Sequence, residues 1–273
     1  MTNRNIIMGA VLSGVVIIGT VAAVACSSME TPDKIDLAST HTTAAQTTAA
    51  ALEETAAPVT EAAEETTAVL ITAENISYEF STYTDGNISI QYPVLSNLGG
   101  QEEPVNQLLK DNALSILNAY DTENGDTSIQ IKCQVPSITK KRATAIYKGT
   151  ASVKGAAHPV NVYYTNTVDL TACKDLGLSD FADPYTMAGY VLSDDVQFDG
   201  LSGSSLSAAL EERKLMDIQY YTQIFEEADF PFDASKTWPS SFCYEKQGEI
   251  YFSIPVSHAL GDYAIVKFIP ETK

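Results

Sequence analysis

The sequence predicts an α+β domain with a largely antiparallel sheet and two or three packed helices, placed after a long segment that builds no core. Strand-like runs with period-two alternation lie near both ends of residues 75–273, and runs with apolar residues at intervals of three and four lie between them. All 24 aromatic residues of the 273-residue chain lie between Tyr78 and Phe268. The single globular domain is therefore expected to span residues 75–273.

The first half of this region is predicted to form a hairpin, a helix and three strands. The alternating residues 76–81 and 88–94 flank the turn signal Asp85-Gly86-Asn87 and indicate a β-hairpin. The opening Glu102-Glu103-Pro104 precedes apolar residues at helical spacing up to Tyr120, which predicts an amphipathic helix. Strands are expected at residues 127–135, 142–153 and 160–170, which are rich in β-branched and aromatic side chains.

The second half is predicted to begin with helices and to close with strands. Helical spacing returns over residues 178–192 and 207–227. Residues 240–244 and 249–255 form an expected hairpin around the turn Lys246-Gln247-Gly248, and residues 263–270 form a last strand.

The charge balance excludes one broad class of partner. The chain has 16 basic and 35 acidic residues and a formal charge of −19. A nucleic-acid binder needs a basic surface to displace phosphate counterions, so we expect no nucleic-acid partner. The field of such a chain attracts cationic proteins, cationic peptides or metal ions.

The N-terminal residues resemble a bacterial lipoprotein signal peptide. Residues 6–25 form a run of 20 uncharged residues that ends in Ala23-Val24-Ala25-Cys26-Ser27-Ser28. Small residues before a cysteine are typical of the lipobox, where the signal peptide is cut and the cysteine is diacylated. We expect residues 1–25 to be removed and Cys26 to anchor the protein in the cell membrane, on its extracytoplasmic face. An uncleaved membrane helix and an ordinary signal peptide with an incidental cysteine are the alternatives.

Residues 26–74 are predicted to combine the lipidated cysteine with a disordered stalk rich in Ala, Thr and Glu. From Ser27 to Glu74 there are nine acidic residues, one basic residue, Lys34, and no aromatic residue. Such a segment buries too little apolar surface to fold, and its like charges extend it. A plain spacer and a glycosylated, mucin-like segment both fit this composition.

Catalytic and metal-binding motifs are weak. His158 and His258 are the only imidazoles of the predicted domain, and neither has a neighbour at metal-ligand spacing. The segment Gly200-Leu201-Ser202-Gly203-Ser204 lacks the final glycine of a nucleophile elbow. We therefore expect no metal, no cofactor and no serine nucleophile. A pair of carboxylates far apart in sequence stays open as an alternative catalytic site.

The cysteines and a basic cluster leave further alternatives open. Beyond Cys26 the thiols are Cys133, Cys173 and Cys243, so at most one disulfide forms and three isolated thiols are equally compatible with the sequence. The basic residues around Lys140-Lys141-Arg142 fit contact with an anionic wall polymer, or protection of a hairpin tip from pairing.

Several short motifs together resemble the RsiV/PdaC-type extracytoplasmic domain pair. The turn Lys154-Gly155-Ala156-Ala157-His158-Pro159 is similar to the Gly-Gly-Ala-His-like turn of that family. The strand ending Val168-Asp169-Leu170 resembles its Phe-Asp-Leu, and Leu176-Gly177-Leu178-Ser179-Asp180-Phe181 resembles its Leu-x-Asp-Leu-Phe element. The closing hairpin and strand also fit. The likeness covers residues 75–271.

The resemblance implies a domain that recognises ligands. RsiV-like anti-sigma factors bind lysozyme outside the cell, and PdaC-like proteins carry such a domain before a peptidoglycan deacetylase. This chain departs from both, because it has no deacetylase domain and its lipobox stands in place of the cytoplasmic segment and membrane helix. Gly155, Ala157 and His158 are the binding candidates that the family motif suggests, although a structural role for His158 in the turn is the favoured interpretation.

Two hypotheses follow. The first is a lipid-anchored binding module for a cationic ligand, such as lysozyme or another protein of the cell wall, because residues 75–273 carry 26 acidic and 14 basic side chains. The alternative is a peptidoglycan-modifying enzyme or its accessory domain. A cleft holding two carboxylates, one with a raised pKa, would favour the enzyme, and a flat acidic face would favour binding.

Overall fold

The computed structural model describes residues 76–122, 124–231 and 237–270. The predicted signal peptide, the lipidated Cys26 and the predicted stalk lie outside these residues. The strands are β1 (Ser77–Asp85), β2 (Ile88–Ser96), β3 (Thr127–Ile138), β4 (Arg142–Val153), β5 (Val160–Asp169), β6 (Lys174–Leu176), β7 (Gln197–Asp199), β8 (Cys243–Lys246), β9 (Glu249–Pro255) and β10 (Tyr263–Phe268). The helices are α1 (Glu102–Leu114), α2 (Leu178–Phe181), α3 (Pro184–Leu192), α4 (Gly203–Glu212) and α5 (Ile218–Glu226). The predicted α+β class is confirmed.

The larger sheet has six strands in the order β1-β2-β3-β4-β5-β6. Neighbouring strands are antiparallel except β2 and β3, which pair in parallel from Ile88 opposite Ile129 to Ile90 opposite Ile131. A parallel pair needs a crossover connection, and α1 lies in this one. Gly149 of β4 lies where a Cβ atom would collide with the backbone of Gln130 in β3, so glycine permits this close strand approach.

A second, four-stranded antiparallel sheet has the order β7-β10-β9-β8. The predicted closing hairpin and last strand form three of its strands. The sequence pattern missed the three-residue strands β6 and β7, because two or three alternating residues give no measurable periodicity.

Strand β5 connects α1 to the smaller sheet. The Tyr164 hydroxyl donates to the Ala113 carbonyl of α1 at 2.7 Å, and the hydroxyl of Thr165 donates to the Cys243 carbonyl of β8 at 2.6 Å. Consecutive strand residues point to opposite faces, so β5 contacts α1 on one face and the small sheet on the other. An ion pair at 2.7 Å between Arg142 of β4 and Glu245 of β8 adds a second connection.

Each of the two later predicted helices is broken into two, which gives five α-helices among the described residues instead of two or three. Pro184 begins α3, and the Asp183 side chain caps that helix by accepting from the Thr186 amide at 2.7 Å. Proline disfavours helical backbone in the residue before it, so a continuous helix over 178–192 is excluded. Asp217 likewise caps α5 through the Tyr220 amide, after a 3-10 turn at Arg213–Leu215.

The buried core is extensive and aromatic. Strands β9 and β10 pack against α3 and α5, with Phe252, Ile254 and Val266 inaccessible to solvent. The larger sheet encloses the stacked rings of Tyr147 and Tyr164, whose centroids are 4.6 Å apart. Within the part of the chain that the structure describes, no helix has the length and apolar character to cross a membrane.

Candidate functional site

The turn that carries the predicted family motif is exposed. Gly155, Ala157 and His158 all lie on the surface between β4 and β5. Gly155 has a φ of +90°, which a residue with a side chain adopts only with strain. The Ala156 amide donates to the Val153 carbonyl at 2.9 Å and closes the turn.

His158 stacks on His258, which comes from the 3-10 turn between β9 and β10. The two ring centroids are 3.7 Å apart and the planes differ by 6°. Nδ1 of His258 is 2.9 Å from Oδ1 of Asp262. Oδ2 of Asp262 accepts from the Asn161 backbone amide at 2.7 Å and from its side chain at 3.1 Å. The motif turn is thus tied to the β9–β10 connection.

The electrostatics of this cluster follow from its hydrogen bonds. Partial burial is the largest single effect on the pKa of Asp262 and raises it, but donation from Asn161 and from His258 together lowers that pKa below its ordinary value. The ionised carboxylate is therefore the form that holds both partners. The described residues include no group of three His, Cys, Asp or Glu side chains placed to hold a metal ion. We call the contacts among His158, His258, Asp262 and Asn161 the clasp, because they tie the motif turn and the start of β5 to the β9–β10 connection.

The acidic side chains are concentrated in the helical segment. Residues 177–231 contain eleven acidic and two basic side chains. Nine of the acidic ones are exposed. They are Asp180, Asp183, Asp194, Asp195, Asp199, Glu211, Asp217, Glu226 and Glu227. One of the two bases, Arg213, is buried, so this acidic surface has little compensating charge of its own.

Two large apolar side chains are exposed in the same segment of the chain. Leu215 is 76% exposed and Met216 is 46% exposed, at the connection between α4 and α5. Two hydrogen bonds fix the backbone of this connection. The buried Arg213 side chain donates to the Val191 carbonyl, and the Tyr221 hydroxyl donates to the Arg213 carbonyl at 3.0 Å. A pinned backbone that presents two large apolar side chains to water is typical of a contact surface.

Two carboxyls with raised pKa, Asp229 and Asp175, lie inside the fold. Burial raises the pKa of Asp229 to about 7 and the charge of Asp175 contributes to this rise, although hydrogen bonds from Cys243 and Leu178 favour the ionised form of Asp229. Its two oxygens accept from the Cys243 amide at 2.6 Å and from the Leu178 amide at 2.8 Å. Asp229 is only 5% exposed, and these contacts join β8 to the start of α2.

Asp175 of β6 belongs to a separate polar cluster. Burial raises its pKa, and hydrogen bonds from Asn166 and Asn112, each at 2.8 Å, oppose that shift. Asn112 also donates to the Asn166 side chain at 3.1 Å. All the donors are amides of neighbouring elements, so the cluster fixes α1 against β5 and β6.

The three described cysteines form no disulfide. Cys133 and Cys243 are buried, and burial raises the pKa of Cys133 to about 12 and that of Cys243 well above its ordinary value. Cys173 is half-buried, and its thiol lies 3.1 Å from the Gln101 side-chain oxygen. High thiol pKa values leave little nucleophilic thiolate at neutral pH.

The basic cluster singled out from the sequence is divided among different partners. Arg142 pairs with Glu245, and Lys154 pairs with Asp126 at 3.2 Å. The Lys148 ammonium lies over the Tyr163 ring, 5.6 Å from its centroid. These contacts support the structural interpretation of the cluster more than a surface for an anionic polymer.

Sequence reasoning missed the clasp partner Asp262 and the buried Asp229. His258 and Asp262 are about a hundred residues from the motif turn, so their contact depends on the pairing of strands from both sheets. Asp229 has a positive φ of 68°, and nothing in the neighbouring sequence predicts this conformation. The cluster of nine exposed carboxylates could have been found, since a count of charges along residues 177–231 already displays it.

Comparison with known proteins finds structural neighbours only. The fold is similar to the crystal structure of a DUF3298 family protein from Pseudomonas aeruginosa, at 12% identity and a TM-score of 0.35 over 67% of this chain and 84% of that one. It is also similar to a DUF3298 family member from Bacteroides fragilis, at 12% identity and a TM-score of 0.39 over 71% of this chain and 90% of that one. No protein-family model and no curated protein matches the sequence.

Proposed function

We propose that the domain is an extracytoplasmic binding module, and that it is not an enzyme. It captures cationic polypeptides on the exposed side chains of residues 177–231, which we call the helical face. The observation that carries this proposal is the concentration of nine exposed carboxylates in residues 177–231, the segment that also exposes Leu215 and Met216. The two carboxyl groups with a raised pKa are those of Asp175 and Asp229, and both accept hydrogen bonds from neighbouring elements of the fold. These hydrogen bonds support a structural role for the two carboxyls.

Charge and apolar surface have separate roles in such a site. The carboxylates attract a cationic protein over a distance of about 10 Å at 0.1 M salt, and this attraction raises the association rate. Leu215 and Met216 contribute at contact, where burial of apolar surface slows dissociation. Binding should therefore weaken with added salt without disappearing.

Lysozyme is the sharpest ligand to test. It is a cationic protein that acts on the bacterial cell wall, and the motif resemblance to RsiV-like domains points to the same ligand. A diacylated Cys26 would hold the domain on the outer face of the cell membrane, where such a protein arrives. The predicted stalk would then place the binding face within the cell wall.

The test is calorimetric titration of the full chain, held in zwitterionic lipid nanodiscs, with lysozyme at 50 mM and 300 mM salt. We expect one-to-one binding that is weaker at the higher salt. The variant D194N/D195N should weaken binding about threefold to tenfold at low salt and much less at high salt. Leu215→Ser should raise the dissociation constant at both salt concentrations.

The matched control is D111N/D126N, which removes the same two charges from exposed positions outside residues 177–231. It should change the affinity for lysozyme less than D194N/D195N does. Absence of heat under both conditions would refute lysozyme as the ligand. An equal response to the two double variants would refute the helical face as the binding surface.

A further inference from the structure

Strand β1 is an unusually open edge. The other edge strands, β6, β7 and β8, have three, three and four residues, whereas β1 has nine. It pairs with β2 without interruption, from Ser77 opposite Ser96 to Asp85 opposite Ile88. On its other side no described strand pairs with it. Along this nine-residue edge, the outward backbone donors and acceptors have no partner strand among residues 76–122, 124–231 and 237–270.

Several common protections of an edge strand are absent from β1, although the strand carries the charged residues Glu79 and Asp85. Edge strands are commonly kept from pairing by short length, lysine, proline or a β-bulge. The sequence of β1, Ser-Tyr-Glu-Phe-Ser-Thr-Tyr-Thr-Asp, contains neither lysine nor proline, and its register with β2 has no bulge. Its composition is also that of a strong strand former.

One face of β1 is aromatic and exposed. Tyr78 and Phe80 are two residues apart, so both side chains lie on the same face of the strand. They are 44% and 43% exposed, and their rings meet edge-on with centroids 5.4 Å apart. An added strand would place its own alternate side chains against these rings, at the spacing of cross-strand pairs.

The opposite face of β1 carries the carboxylates Glu79 and Asp85, with the half-buried Tyr83 between them. Glu79 lies opposite Val94 of β2, and Val94 lines an open groove between β2 and α1. The groove wall on α1 includes two acidic residues, Glu102 and Glu103, and one basic residue, Lys110. The β1–β2 hairpin carries Glu79 and Asp85 and no basic residue. A second copy of this chain would bring the same carboxylates to the edge, so charge favours a cationic occupant over self-pairing.

We propose that β1 is a strand-addition site for an extended, cationic polypeptide segment in which basic and apolar residues alternate. The backbone of the segment pairs with the free edge of β1. Its apolar side chains cover Tyr78 and Phe80, and its basic side chains face Glu79 and the groove. Strand addition of this kind takes its affinity from main-chain hydrogen bonds and its selectivity from alternate side chains. The site uses none of the residues of the helical face and goes beyond the function proposed above.

The probe is a fluorescent nine-residue peptide of alternating lysine and valine, titrated by anisotropy against the full chain in zwitterionic nanodiscs. We expect saturable binding and at least tenfold slower amide hydrogen exchange in residues 77–85. The variant Y78K/F80K should weaken binding at least tenfold. The matched control V160K/I269K adds the same two charges at exposed apolar positions outside both β1 and residues 177–231, and should change binding less than threefold.

Two further peptides separate backbone pairing from charge. The lysine-valine peptide N-methylated at every amide keeps its charge and should lose binding, and a glutamate-valine peptide should not bind. Equal binding of the N-methylated peptide, or exchange protection confined to residues outside 77–85, would overturn the proposal. A dimer that forms through β1 without peptide would identify a second copy as the occupant and would also overturn it.

Discussion

Asp229 offers a sharp test of how burial shapes this fold. Its carboxyl is enclosed and holds the backbone amides of Cys243 and Leu178. Burial is the largest influence on its pKa, which is raised from 3.8 to about 7. Because the folded state binds the proton more tightly than the unfolded state, the stabilisation is complete below about pH 4 and is lost as the pH rises to about 7.

The magnitude follows from that shift. A shift of about three pKa units corresponds to a change of about 4 kcal/mol in the free energy of unfolding. The change Asp229→Asn removes the titration. It also places the side-chain NH2 group against one of the two backbone N–H donors, which then has no acceptor. This lowers the free energy of unfolding by about 1–3 kcal/mol at every pH.

The assay is urea unfolding of the full chain in a non-ionic detergent from pH 4 to pH 8, followed by the fluorescence of Trp238. This tryptophan lies edge-on to the buried Tyr164, with ring centroids 5.6 Å apart, and reports on core packing. Wild type should be more stable than Asp229→Asn near pH 4, and its advantage should shrink by up to about 4 kcal/mol or reverse by pH 8. The exposed Asp194→Asn is the control and should give a nearly constant difference. A constant difference for Asp229→Asn as well would refute the reasoning.

Three other predictions follow from burial and contact. Replacing the fully buried Phe252 by alanine should lower the free energy of unfolding by about 3–5 kcal/mol in urea melts, and a loss below 1 kcal/mol would contradict its place in the core. A thiol reagent should modify Cys173 first, with Cys133 and Cys243 reacting only on unfolding, and mass spectrometry of the labelled peptides checks that order. Asp262→Asn weakens the contacts of the clasp, so amide hydrogen exchange in residues 154–161 should speed up at least threefold; unchanged exchange would show that the clasp does not hold the turn.

The strands of this fold were largely predictable from the sequence, whereas the helix boundaries were not. Alternation over nine to twelve residues located β1 to β5 to within a few positions, because a half-buried strand leaves a strong period-two signal. Helical spacing continued across Asp183 and Asp217, since apolar residues on either side of a break face the same core. The caps themselves were visible in the sequence as Asp-Pro and as aspartate before an apolar run, and they outweigh the periodicity.

The candidate sites were predictable only where they depend on composition. The acidic helical face follows from counting charges, and the exposed motif turn follows from Gly155 and its neighbours. The stacking of His158 on His258 could not be anticipated, because it depends on the relative placement of the two sheets. The burial of Asp229 could not be predicted for the same reason. Its backbone donors, the amides of Leu178 and Cys243, are distant in sequence, and the neighbouring residues do not indicate them.

The most direct test of the binding function is hydrogen exchange of the full chain in nanodiscs, measured by mass spectrometry with and without saturating lysozyme. The proposed helical face predicts slower exchange around the α4–α5 connection, over residues 203–226, and no comparable change in the β4–β5 turn. Slower exchange confined to other parts of the domain, or none at saturation, would contradict that face as the binding surface.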